Sequence, residues 1–108
     1  MSFGEEEDAI PAAPNEDEAR LTAQLGAEGL RTIDANLARQ VRRWPSKVAR
    51  VVGDALKDGG FSIHDQASFD LHVRRVIGLV ESGVLVGVGN LRRARFSEVR
   101  LPDLTGAL

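Results

Sequence analysis

The sequence has no cysteine and no tyrosine, a single tryptophan, and aromatic residues amount to 5% of its 108 residues. Without cysteine there is no disulfide framework and no thiolate metal centre. No run of about 18 apolar residues occurs, so the sequence offers no membrane-spanning helix. Met1 to Ile10 holds four acids and no base, which does not match the basic start of a secretory signal. Lysine is scarce as well: twelve of the 14 basic residues are arginine. These features fit a cytoplasmic protein of one small domain.

Basic residues are missing altogether from residues 1–19, where Glu5, Glu6, Glu7, Asp8, Glu16, Asp17 and Glu18 give a charge of −7. The rest of the chain carries +5. An acidic stretch beside a basic body suggests an anionic partner, nucleic acid or an acidic protein. Residues 1–15 combine Pro11, Pro14 and clustered acids with only Phe3 and Ile10 as large apolar groups. That is too little apolar surface to offset ordering entropy. Residues 1–19 therefore read as a disordered acidic tail, and 20–108 as the folded domain. Such a tail can fold back on the arginine-rich body and compete with phosphate at low salt.

Within the body, Leu21, Leu25, Leu30, Ile33, Leu37, Val41 and Trp44 follow helical spacing. Gly26 and Gly29 weaken that stretch, so it reads as two helices or a short approach and a longer helix. Asn15–Glu18 can cap a first turn, and Asp34 can cap a later start. The apolar stripe could serve the domain's own core or a homodimer. Trp44-Pro45 marks a break. A second helix is expected from about Pro45 to Lys57, stopped by Asp58-Gly59-Gly60. A third is expected from about Gln66 to Glu81, with Phe69, Val73, Val76, Ile77 and Val80 inward. The period then changes. Val84, Val86 and Val88, followed by Gly89-Asn90 and later by Val99 and Leu101, read as a β-hairpin ended by Pro102. The predicted class is mainly α with a C-terminal β-hairpin, in the order of a winged helix-turn-helix.

Three blocks add a resemblance. They are Lys47-Val48-Ala49-Arg50-Val51-Val52-Gly53-Asp54-Ala55-Leu56, then Arg75-Val76-Ile77-Gly78-Leu79-Val80-Glu81-Ser82-Gly83-Val84-Leu85, and Gly89-Asn90-Leu91 with Arg95-Phe96-Ser97-Glu98-Val99-Arg100-Leu101-Pro102. Over roughly residues 44–102 the chain resembles an uncharacterised bacterial domain family whose members end in the Ser-Glu-Val-Arg-Leu-Pro phrase. The resemblance implies a bacterial origin and assigns no functional residue.

The winged-helix order directs attention to the third helix and the wing. His72, Arg74 and Arg75 on the helix, with Arg92, Arg93 and Arg95 on the wing, are the candidate DNA contacts. Arginine suits that work because its planar fork pairs with phosphate or guanine. The competing reading is a protein-interaction module, such as an adaptor or immunity-type protein, using the same arginine-rich face. A plainer role for Arg75 and Arg100 is pairing with Glu81 and Glu98. His64, Asp65, Asp70 and His72 do not make a metal site, since positions two apart on a helix point in opposite directions. Gly83 to Gly89 follows a helix and enters a strand, the reverse of a phosphate cradle. With no nucleophile beside a base, the sequence predicts neither an enzyme nor a cofactor.

Overall fold

The computed structural model describes residues 8–103. Elements follow in the order α1 (Glu16–Gln40), β1 (Ser46–Lys47), α2 (Val48–Asp58), α3 (Gln66–Glu81), β2 (Val86–Val88), a 3₁₀ turn (Ala94–Phe96) and β3 (Glu98–Arg100). The fold is mainly helical, with a small antiparallel sheet of order β1-β3-β2. Ser46 faces Val99 on one side of β3, and Gly87 faces Val99 on the other.

Helix α1 starts where Asn15 turns its side chain to the Glu18 N–H at 2.9 Å, and three acids in the first turn favour the positive end of the helix. Gly26 interrupts it with φ 66° and ψ −175°, a conformation essentially reserved to glycine. A Cβ at Gly29 would come within 2.7 Å of the Leu25 Cβ. The pair of glycines thus makes the bend that the sequence suggested. Asp34 lies inside the second part of α1, so it is not a cap. Asn36 ties α1 to α2 by donating to the Ala55 carbonyl at 2.9 Å.

Helices α2 and α3 end alike. Phe61 N–H bonds to Leu56 O, and Val84 N–H bonds to Leu79 O, each at 2.9 Å. Both closures reach back five residues over a glycine, which satisfies carbonyls left open by the last turn. The third helix has the bounds that its sequence predicts. The second begins at Val48, not Pro45, because Ser46–Lys47 joins the sheet instead. The hairpin is wider than a Gly-Asn turn allows: residues 89–97 form a loop containing the 3₁₀ turn before β3 begins.

The core gathers Ile33, Leu37 and Val41 of α1, Val48, Val51, Val52, Ala55 and Leu56 of α2, and Leu71, Val73 and Val76 of α3, with Leu85 and Val99. Ile33, Leu37 and Val41 of the α1 stripe therefore serve the domain's own core, with Leu21, Leu25 and Leu30 packed partly buried against it. Helix α3 packs against both α1 and α2, which also pack on each other. It is buried on more than one side, since Ser68, Asp70, Leu71 and His72 are inside along with Val73 and Val76. Ile77 and Val80 are only partly buried.

The expected disordered tail fares differently in its two halves. Residues 1–7 lie outside the described residues. Residues 8–19 are not a loose extension: Ile10 is 4% exposed within the core cluster, and Glu18 is buried in α1. The physical reason is that one aliphatic anchor and several carbonyls find partners on the body, described below.

Candidate nucleic-acid and peptide surfaces

Five of the six arginine and histidine positions singled out in the sequence are turned to internal partners, and the sixth sits beside one. His72 is fully buried. Its Nδ1 lies 2.7 Å from the Ser68 carbonyl, its ring stands edge-on to Phe61 at 5.0 Å, and Nε2 has no hydrogen-bond partner. It cannot reach a DNA groove. The sequence signal that was missed is a second stripe at Ser68, His72, Val76 and Leu79, beside the one starting at Phe69. Two stripes mean a helix enclosed on two sides.

Arg74 forms a forked pair with Glu18, Nε to Oε2 at 2.6 Å and Nη2 to Oε1 at 2.9 Å. It also donates to the carbonyls of Pro11 and Ala12. Arg75 makes the same kind of fork with Asp34, at 2.9 and 2.7 Å. Hydrogen bonding to these carboxylates, against some desolvation, holds both guanidinium groups above their ordinary pKa. Arg75 therefore does not pair with Glu81, and Arg100 reaches Asp103 rather than Glu98, which faces Lys47. Arg92 donates from Nε to the Ile10 carbonyl at 2.9 Å. Arg93 lies over the Phe96 ring at 4.6 Å and 3.8 Å from the Asp8 carboxylate. Arg95 is exposed, 3.9 Å from the same carboxylate.

Two buried titratable groups on α3 have shifted pKa values. Burial pushes Asp70 up, against a hydrogen bond from Gln66, with Glu18 adding to the rise and Arg74 opposing it. Burial pushes His72 down, against its bond to Ser68. The fold therefore favours neutral His72 more than the unfolded chain does, and the unfolded imidazole takes up a proton below about pH 6.5. Stability from this group is complete at neutral pH and falls as pH drops through that value. Asp70 acts in the opposite sense, favouring the fold as it gains a proton at lower pH. Between pH 7.5 and 5.5 the melting temperature should fall for the wild type, and the fall should shrink in His72→Gln. An unchanged pH slope in that variant assigns the effect to another group.

Besides Arg95, a run of cations open to solvent lies around the α1–β1 junction. From Arg39 to Arg50 the chain holds Arg39, Arg42, Arg43, Lys47 and Arg50, and no acid. All five are exposed, and among them Trp44 is 64% exposed. Arg42 and Arg50 line one small depression with Ser46 and Asp54. Arg42 and Arg43 form no ion pair among the described residues, whereas Lys47 and Arg50 each stand 4.0 Å from a carboxylate, Glu98 and Asp54. Sequence reasoning passed over this run because it joins two helices instead of lying on the third helix or the wing.

Among the described residues no group of three His, Asp or Glu side chains could hold a metal ion. Asp65 accepts from the Ser68 hydroxyl at 2.6 Å, and His64 is exposed, whereas His72 is fully buried. No described helix is long and apolar enough to cross a membrane. Comparison with protein-family models, curated proteins and solved structures finds no match to this chain.

Proposed function

We propose that the chain is a nucleic-acid-binding module of winged-helix type, acting on duplex DNA in a bacterial cytoplasm and belonging with the domain family whose closing phrase it resembles. The observation that carries the reading is the acid-free run from Arg39 to Arg50, five exposed cations around an exposed tryptophan. Exposed cations meet phosphates and release counterions, and an exposed indole can pack on sugar or base. The order of helices and the sheet order β1-β3-β2 support a winged-helix arrangement. The contact mode departs from the usual one. Helix α3 is enclosed by its neighbours, so phosphate contacts fall to the α1–β1 junction and the start of α2.

The salt dependence of duplex binding tests this. Wild-type affinity should fall steeply between about 50 and 200 mM salt. Arg42→Ala combined with Arg43→Ala should weaken binding to all sequences alike and flatten the log-log slope by about two units. Arg92→Ala with Arg93→Ala should leave the slope in place. A slope that responds to the wing pair and not to Arg42 and Arg43 overturns the assignment of the surface.

A second reading, a protein-interaction module, draws on a separate observation. The arginines of α3 and the 89–97 loop already hold a short non-helical piece of polypeptide that carries one carboxylate.

A further inference from the structure

That piece is residues 8–12. It has no helix or strand of its own. Ile10 is its anchor, sunk into the core cluster at 4% exposure. The Ile10 N–H donates to the Arg92 carbonyl at 2.8 Å, and the Arg92 side chain donates back to the Ile10 carbonyl at 2.9 Å. The next two carbonyls, of Pro11 and Ala12, accept from Arg74 at 3.0 and 3.2 Å. Asp8 lies at the basic rim formed by Arg93 and Arg95. Three successive carbonyls are thus read by arginine side chains, one aliphatic side chain is buried, and one carboxylate sits among cations. Main-chain bonds hold any sequence, while the pocket and the rim choose which sequence.

The occupant does not fill its groove. Beyond Ala12 a cavity of about 400 Å³ lies open between Ile77, Leu91, Asn90 and Arg92. Ala12 lines this space with a single methyl group, so a larger apolar side chain at its position has room. Ala13, Pro14 and Asn15, all exposed, connect the segment to α1, whose start is capped by Asn15 itself. The segment can therefore leave without unwinding the helix.

We infer that the groove between α3 and the 89–97 loop is a docking site for a short non-helical segment of a partner protein, bearing a carboxylate two residues before a branched aliphatic side chain and an apolar residue two after it, and that residues 8–12 are its built-in, underfilling occupant. The inference rests on the interaction-module reading and not on DNA binding, so either can fail alone. Tethering gives the built-in segment a high local concentration, which a partner must exceed by filling the cavity.

The test uses full-length protein and a fluorescein-labelled peptide of residues 6–15, read by anisotropy. Ile10→Glu in the protein unseats the cis segment, and this variant should bind the peptide at least about tenfold more tightly than wild type, the tether advantage having been removed. Asp8→Lys in the protein disturbs only the partly buried rim, leaves Ile10 in the core, and should give a smaller gain in the same direction. This variant decides the question if Ile10→Glu fails to fold by circular dichroism. A peptide carrying A12L should bind more tightly than the parent, one carrying I10E at least about tenfold more weakly, and one carrying D8K more weakly by a smaller factor of about two to five, since its ion pairs are long and partly exposed. Equal peptide affinity for wild type and the variants, or equal binding of the D8K and parent peptides, overturns the proposal.

Discussion

Arg74→Ala should destabilise the domain by about 3–5 kcal/mol, because it leaves the Glu18 carboxylate buried without its cation. Glu18 is 1% exposed, and its two oxygens accept from Arg74 at 2.6 and 2.9 Å. Asp70 is buried nearby and already disfavours its charged form. Removing Arg74 places two carboxylates in one dry site with no cation. For a domain of this size each kcal/mol lowers Tm by about 4–8 °C, so the loss is large against a total stability of roughly 5–15 kcal/mol. Replacing the pair together, Glu18→Leu with Arg74→Met, should recover much of the stability, since burying an ion pair costs desolvation that an apolar pair does not. A loss below about 1 kcal/mol in Arg74→Ala, the range of an exposed ion pair, would show that Glu18 is solvated and the N-terminal segment loosely held.

Leu37→Ala should cost about 2–5 kcal/mol. Leu37 is fully buried at the centre of α1's inner face, among Ile33, Val41 and the valines of α2 and α3. The close packing around it leaves a cavity that the neighbours fill only in part. Ile77→Ala should cost less, although it removes a side chain of the same volume. Ile77 borders the open cavity beneath Ala12 and is only half-buried. Urea unfolding of the two variants checks the order. A larger loss at Ile77 than at Leu37 would place the core on the wrong side of α3.

The contrast between these two positions shows what the sequence could and could not tell. Periodicity located α3 from Gln66 to Glu81 and its stop at Ser82-Gly83, because helical spacing and a terminating glycine are local signals. It marked one stripe and took the rest of the helix as surface. Two-sided enclosure depends on where α1 crosses, which no local pattern contains. Strand β1 was invisible for the same reason. Two residues have no period, and Ser46–Lys47 becomes a strand only by meeting Glu98 and Val99 far along the chain. The arginines were legible as charge but not as partners. Arg74 reaches Glu18 across 56 positions and Arg75 reaches Asp34 across 41, so composition alone left open whether each met phosphate or a carboxylate. Of the acids before Arg20, Asp8 and Glu18 meet arginines of the body, while Glu5, Glu6 and Glu7 lie outside the described residues. The seat of residues 8–12 was missed because a single Ile10, too little to order a free segment, suffices when a groove awaits it.

The surface from Arg39 to Arg50 contains the chain's only tryptophan, and there is no tyrosine to interfere with its emission. Titrating the protein with duplex DNA at about 50 mM salt, while following Trp44 fluorescence, reports directly on whether this surface meets phosphate. Emission should be quenched or shifted in parallel with the anisotropy of labelled duplex, and both changes should reverse as salt rises toward about 0.3 M, since phosphate contacts weaken as counterions are added. No binding at low salt, or binding that leaves Trp44 emission unchanged, contradicts the account.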